Sequence, residues 1–504
     1  MKIFTSAQIS ELDTYTIENE PISSINLMER AAEALTKEIV SRWDSPTPIT
    51  IFAGHGNNGG DALAVARLMA DKGYKVNAYL FNVKSKISQD CEVNRDRLKA
   101  KYPDALHEIT KDFDPPRLSA EDVVIDGLFG SGLNKPLTGG FAALVKYINA
   151  SGATIVSIDI PSGLMPEDNT SNVRANIINA DLTLTLGAKK LCMMFADNSR
   201  HIGELKVLDI NLSKEYIANT EATYSVIDEK TVVDMLKPRG KFAHKGQMGH
   251  ALLVAGSQGM AGAATLAARA CLRSGVGKVT VHTPRCNNGI IQISVPEAIL
   301  HLDKEETYIC QASDSNDYDA MGIGPGIGVA ENTAIALMTI IRGAKKPCII
   351  DADALNILST HRAWLQQIPE GMIFTPHPKE MDRLADSEPT DDGDRLQKAI
   401  ELAERTQGYV LLKGHYSALC MPDGKVLFNS TGNSGMATAG AGDVLTGIIT
   451  GLLARGYNQK EAACLGMYLH GLAGDMAAHD LGKESLIASD IINYIPKAFK
   501  RLNQ

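Results

Sequence analysis

At 504 residues the chain exceeds one ordinary core and calls for two domains, and 44% hydrophobic with 22% charged residues excludes disorder as its main theme. The formal net charge of -9, with Lys and Arg dispersed among acids and no basic block, argues against nucleic acid as a partner. Eight scattered cysteines without a CxxC pair, acids at Glu11 and Asp13 where a signal peptide needs its apolar core, and no long apolar window predict a cytoplasmic protein with buried thiols and no membrane span.

The first helical stretch has Ser6 as its cap and sets Ile9, Leu12 and Ile17 roughly on one side; a second helix is expected from about Ile25 to Trp43. Beyond Pro46 and Pro48, "ITIFAG" reads as a strand, "HGNNGGD" as a loop, "ALAVARLMADKG" as a helix closed by Gly73 and "KVNAYLF" as a second strand. That is a βαβ unit, which predicts a parallel sheet with right-handed crossovers. The rhythm continues through "DVVIDGLFGSGLNKP", "ATIVSIDIPSGL", "ADLTLTLGA" and "ELKVLDI". Ligands of open α/β sheets lie beyond the strand ends, so the loops at Asn57, Gly130 and Asp159 are expected to converge on one crevice.

Between about Leu212 and Arg239 the rhythm pauses, and "GHALLVAGS" begins a second series that runs through "GKVTVHTP", "DAMGIGPGIG", "PCIIDADALNIL", "GMIFTPHP" and "YVLLKGHYSALC". The boundary is expected near residue 222, giving domains 1–221 and 222–504, both α/β. No motif repeats between the halves, so a duplication is not supported.

In "GHGNNGGDALAVAR", the glycines let backbone N–H groups approach an anion and the following helix adds its positive end. The alternative is a turn that uses glycine for conformation alone. Asp126 ends the aliphatic run of "DVVIDGLFGSG" and Asp159 that of "IVSIDIPSG". Carboxylates there suit a metal ion, a ribose hydroxyl or proton transfer, or else cap a helix or satisfy a turn.

"INLMERAA", "GHGNNGGDALAVAR", "DGLFGSGLNKP" and "SIDIPSGL", in that order over residues 1 to 220, resemble the motifs of NAD(P)H-hydrate epimerases. The resemblance implies a Rossmann-like domain around a parallel central sheet, with K+ held by Asn58, Asp126 and Ser162. It implies that the hydrated nucleotide is held by Asn57, Asn58, Gly59, Gly60 and Asp61, by Gly130, Ser131, Gly132, Leu133, Asn134, Lys135 and Pro136, and by Asp159. Asp159 is then the carboxylate that moves a proton as C6 of the damaged ring is epimerised. Ala62 stands where the family usually has glycine; a left-handed backbone there would disfavour alanine, whereas a helical one would not.

In the second half, His244 and Lys245 either bind phosphate or are solvated charges, and the run Gly259 to Ala270 reads as close helix packing. "GIGPGIG", Gly322 to Gly328, has the strand-loop-helix context of a phosphate-contacting loop, but no GxxxxGK[ST] exists for a P-loop. Asp351 or Asp353 caps a helix or serves the site, and His377 is a positioned base or a packed turn residue. "GMATAGAGDVLTG" has the anion-hole and acid arrangement of ribokinase-like kinases: amides of Ala441 to Asp443 face a transferring phosphoryl group and Asp443 accepts the attacking hydroxyl's proton.

Together with "HKGQMG", "GSQGMAGAATLAARACLRSG", "GPGIG", "DADALN", "TPHPKE" and "LLKG", that motif resembles the NAD(P)H-hydrate dehydratase domain, a ribokinase-like fold, over about residues 225 to 500. The resemblance implies that Ala263, Gly326, His377 and Asp443 contact the hydrated nucleotide. Lys413, Gly414, His415, Tyr416, Ser417 and Gly442 would contact the adenine nucleotide, ADP with Mg2+. "KGHYS" replaces the family's small turn and Lys379 stands where glycine is frequent. The expected function is epimerisation of R- and S-NAD(P)H hydrate and ADP-dependent dehydration of the S form, in a homo-oligomer of undetermined number. A ribokinase-type small-molecule kinase with an accessory nucleotide-binding domain is the alternative enzyme, and a nucleotide-sensing binding protein the non-enzymatic one.

Overall fold

The computed structural model describes residues 1–83, 86–314 and 317–503. The chain forms two compact units, Lys2–Ala222 and Thr223–Gln504 with Met1.

The first unit is built on strands β1 (Ile49–Ala53), β2 (Val76–Phe81), β3 (Leu106–Ile109), β4 (Val123–Gly127), β5 (Thr154–Ile158), β6 (Leu182–Leu186) and β7 (Glu204–Leu208). They pair in parallel in the order β3-β2-β1-β4-β5-β6-β7. Strand β1 is buried along its whole length, with Ile49, Ile51 and Ala53 in one apolar cluster and Phe52 in another, as alternation requires of a strand covered on both faces. The order reverses between β1 and β4, so the loops that follow those two strands diverge and leave a crevice.

Helices α1 (Ser6–Asn19), α2 (Ser24–Val40) and α3 (Asn57–Asp71) matter most to that crevice. The cap of α1 is Thr5 rather than Ser6. Gln8 lies three residues after Thr5, so its N–H donates to the Thr5 hydroxyl at 3.3 Å while its side-chain oxygen accepts from the Thr5 N–H at 3.1 Å. Helix α2 stops at Val40, short of Trp43, because Arg42 and Trp43 both turn back to donate to the Ile39 carbonyl. The expected loop "NNGGD" is instead the first turn of α3. Its glycines serve close packing: a Cβ on Gly59 would sit 1.8 Å from the Gly54 carbonyl oxygen, and one on Gly60 2.8 Å from the Met28 sulfur. Ala62 is helical and buried, so alanine is unstrained there.

The second unit carries a mixed sheet. Its strands are β8 (Tyr224–Val226), β9 (His250–Val254), β10 (Lys278–Thr283), β11 (Ile299–Leu302), β12 (Ala320–Ile323), β13 (Cys348–Ile350), β14 (Ile373–Phe374), β15 (Tyr409–Leu412), β16 (Ala418–Cys420) and β17 (Val426–Phe428). Within this unit the order is β8-β17-β16-β15-β14-β13-β12-β9-β10-β11, parallel from β15 to β11. In the stretch "YVLLKGHYSALC" the KGHYS turn joins β15 to β16, which run antiparallel with Leu412 opposite Ala418. Helix α4 (Ala261–Arg273) packs on α5 (Ala441–Ala454) through small residues. A Cβ on Gly447 would lie 2.2 Å from the Ala267 carbonyl oxygen, so the alanine-rich run is a packing surface.

Candidate active sites

The first unit holds a cavity of about 550 Å³ at the strand-order reversal. Asn57, Asn58 and Asp61 from the start of α3, Gly130 to Asn134 after β4, and Asp159 after β5 all line it, so the three loops expected to converge do so. Gly59 and Gly60 are buried in helix packing and, with Lys135 and Pro136, are not among the lining residues. Asp159 adopts a left-handed backbone, φ 64°, a strained conformation for a residue with a side chain. Its N–H is tied to the Leu184 carbonyl at 2.8 Å, and its carboxylate pairs with Lys190, whose side chain is only 2% exposed. Lys190 also donates to the Thr185 hydroxyl at 2.8 Å and the Leu186 carbonyl at 3.1 Å, so every partner of this buried ammonium lies at the C-terminal end of β5 or β6. Burial, then Asp159, raise Asp13 to about 6 against the opposing charge of Lys190. Burial, then Asp159 and Asp13, push Asp61 well above the ordinary carboxyl value.

Beneath this cavity Asp126 is fully buried. It accepts from the Ser162 hydroxyl at 2.5 Å, the Ser162 N–H and the Ser157 hydroxyl at 2.8 Å, and the Leu128 N–H at 3.3 Å. Burial raises its pKa, and the hydrogen bonds from Ser162 and Ser157 oppose the rise. Asn58 packs on Gly130, and its amide Nδ2 is buried without a partner. Among the described residues no group of three or more His, Cys, Asp or Glu is arranged to hold a metal.

In the second unit a cavity of about 540 Å³ is lined by His377, Lys413, Gly414, His415, Ser417 and Gly442 among the expected residues, and by His470. Tyr416, Asp443, Ala263 and Gly326 are not on its lining. Gly326, φ 64°, rests on α4: a Cβ there would approach that of Ala263 to 3.1 Å. The neighbouring Gly328 N–H donates to Asp353 at 2.9 Å, so Asp353 anchors the glycine loop.

Gly440, φ 89°, turns the chain into α5, whose first residues carry N–H groups free of intrahelical partners. Asp443 sits in that first turn. Burial, then the Asp351 carboxylate, raise it to about 7, with the Lys413 ammonium opposing. Lys413 pairs with Asp351 at 2.9 Å, while Thr446 donates to the other Asp351 oxygen at 2.6 Å. Burial disfavours the Lys413 charge, yet Asp351 and Glu380 outweigh it and hold its pKa above the usual lysine value. Gly442 lies against this pair: its Cβ position is 3.4 Å from the ammonium. His377 and Glu380 form a reciprocal cap, and burial lowers the imidazole pKa and raises that of the carboxyl. The arrangement combines amides and an ammonium for a developing phosphoryl charge with a carboxyl able to exchange a proton near neutrality.

Sequence reasoning did not single out Asp13 and Lys190, which line the first cavity, or His470, which lines the second, and it left Asp351 between two roles; the Asp351 carboxylate contacts Lys413 and Thr446. A signal for Asp13 exists: Ser6, Ile9, Ser10 and Asp13 follow helical spacing, and all four line the first cavity. His244 and Lys245 are exposed and line neither cavity.

Residues 24–192 match the family described as YjeF-related protein N-terminus, and residues 251–497 the family described as NAD(P)H-hydrate dehydratase. A bifunctional NAD(P)H-hydrate repair enzyme from Moorella thermoacetica is 34% identical, over 100% of this chain and 98% of that protein. Another from Thermofilum pendens is 33% identical over 100% and 97%. A crystal structure of ADP/ATP-dependent NAD(P)H-hydrate dehydratase from Bacillus subtilis, co-crystallised with ATP and Mg2+, is 31% identical over 55% of this chain and 97% of that one, with a TM-score of 0.48. Agreement from end to end with proteins that carry both halves in this order decides the matter, and the chain belongs to the family of bifunctional NAD(P)H-hydrate repair enzymes.

Proposed function

We propose that the first unit interconverts R- and S-NAD(P)H hydrate and that the second dehydrates the S form at the expense of ADP, yielding NAD(P)H, AMP and phosphate. The observation that carries this reading is the pairing, in one chain, of a carboxylate-lined crevice around Asp159 with a helix N-terminus that presents Asp443 beside Lys413. A small-molecule kinase alone would leave the first cavity without a use.

In the first step Asn57, Asn58 and Asp61 with Gly130 to Asn134 bind the nucleotide, and Asp159 moves a proton as the bond at C6 opens and re-forms. Asn58, Asp126 and Ser162 are proposed to hold K+. Their donor set fits: turning the Asn58 amide end for end offers a buried oxygen with no donor to satisfy, and all three residues supply hard oxygen ligands. An alkali cation held by these residues would supply fixed positive charge to the site.

In the second step hydroxide is too poor a leaving group to depart unaided. Asp443 takes the proton of the C6 hydroxyl as its oxygen attacks the terminal phosphorus of ADP and expels AMP; phosphate then leaves from C6 with the C–O electrons, and loss of a proton from C5 forms the C5=C6 bond that restores the dihydropyridine. The first-turn amides of α5 and the Lys413 ammonium stabilise the charge on the transferring group. His377 contacts the hydrate, and Lys413, Gly414, His415, Ser417 and Gly442 hold the nucleotide. Mg2+ is proposed to enter on the nucleotide phosphates, which themselves supply its ligands. The setting proposed is cytoplasmic, in keeping with eight free cysteines, and homo-oligomeric, with Ile290 and Ile293 as exposed apolar surface. Among the described residues no helix is long and apolar enough to cross a membrane.

The test is recovery of dihydronicotinamide absorbance from separated hydrate epimers with ADP and Mg2+. Asp443→Asn is expected to abolish recovery from both epimers. Asp159→Asn is expected to spare the S epimer and slow recovery from R, under conditions where spontaneous epimerisation is slow. No recovery from S-hydrate with the unaltered protein would sink the dehydratase reading.

A further inference from the structure

Epimerisation at C6 moves a hydroxyl from one face of a ring to the other. If the ring is ionised, a proton must be delivered to the departing oxygen on one face and removed from an incoming water on the opposite face. A single carboxyl fixed at a strand end reaches one of these faces. Asp159 is so fixed, by its backbone tie to Leu184 and by the buried Lys190.

We propose that Asp13, carried by helix α1, is the second proton-transfer residue of the epimerase site, working on the face of the substrate away from Asp159. The proposal rests on the epimerase reading of the first unit. Both carboxyls line the same cavity from different elements. Helix α1 brings Ser6, Ile9, Ser10 and Asp13 to it as one stripe, so the placement of Asp13 belongs to the helix face and not to a chance rotamer. The charged and titratable groups around it are Asp61 from α3, His55 after β1, Asp159 after β5 and Lys190 after β6. Of these, Lys190 is committed to Asp159 by direct contact and leaves Asp13 with no ion-pair partner among the described residues. Two carboxyls in one site with unlike environments are the arrangement that separates an acid from a base. The burial that raises Asp13 to about 6 keeps both of its protonation states accessible near neutrality.

For conversion from R to S, the Asp13 carboxylic acid gives its proton to the C6 hydroxyl. The C–O bond breaks, its electrons leave with water, and the ring-nitrogen lone pair forms a C=N bond. Water then adds to C6 from the other face, returning those electrons to nitrogen, and its surplus proton passes to the Asp159 carboxylate. The reverse reaction runs the same steps with the two roles exchanged. Either direction therefore needs one proton shared between two carboxyls.

The test uses the full-length protein without ADP, following separated NADH-hydrate epimers by chromatography. The unaltered protein is expected to give a bell-shaped pH profile, falling above about pH 6 on the side governed by the Asp13 acid. Asp13→Asn is expected to lower kcat by about 10²-fold in both directions with little change in KM, and to remove one limb of the bell. Asp13→Glu should restore part of kcat and the missing limb. An Asp13→Asn protein with full kcat, or one that is slow yet keeps both limbs, overturns the proposal. If Asp13→Asn does not fold, a single-limbed profile in the unaltered protein overturns it equally. Failure of the unaltered protein to interconvert the epimers would instead remove the epimerase reading itself.

Discussion

Asp443 is held between opposing influences: burial and Asp351 favour its neutral form, and Lys413 favours its charged form. A base must be ionised to accept a proton, so dehydration of S-hydrate is expected to fall as pH drops through about 7, seen as the acid limb of kcat/KM. Lys413→Met removes the influence that lowers this pKa, and the limb is expected to move to higher pH while kcat/KM at neutral pH falls. A limb that stays in place would show that Lys413 does not tune the base. Asp443 was legible from its glycine-rich helix start. Asp351 was not, because a carboxylate before a helix has two ordinary uses, and only its contacts with Lys413 and Thr446 choose between them. Asp13 and Lys190 were passed over for a related reason. Asp13 counted only as a charge interrupting an apolar stretch, and Lys190 has meaning only beside a strand end remote in sequence.

At the scale of elements, glycine is where sequence and structure part most clearly. "NNGGD" reads as a loop whose glycines open the backbone to an anion, but those glycines are helical and pressed against the backbone of Gly54 and the side chain of Met28. Gly59→Ala would drive a Cβ into a carbonyl oxygen that belongs to the backbone and has little room to move. The expected cost is about 1–3 kcal/mol of stability in the first unit, measurable by denaturant unfolding. A neutral effect would mean that α3 can slide along β1. The turn after β15 is a case where sequence and structure agree: "KGHYS" reads as a turn, and the strands on either side of it pair antiparallel. Parallel strands with alternating helices were far easier to read, because burial on both faces imposes continuous apolar runs.

At the scale of the whole molecule, each cavity is lined by residues of one unit only. The α/β class and the convergence of the first unit's loops were readable from the order of strands and glycine turns. The packing that brings His470 and Asp351 to the second site was not. Separate linings also predict that the two activities combine through solution. A mixture of Asp159→Asn and Asp443→Asn proteins is expected to recover dihydronicotinamide absorbance from R-hydrate at a rate well above either variant alone. A mixture no faster than its components would require the intermediate to pass within one chain.

Helix α1 precedes the entire first sheet in the chain and yet furnishes one wall of its cavity. Contacts that close so long a stretch of chain form late, since the entropy of closure is lost before the contacts return anything. A chain in which α1 is undocked keeps the lining that follows β1, β4 and β5 but lacks the wall formed by Ser6, Ile9, Ser10 and Asp13.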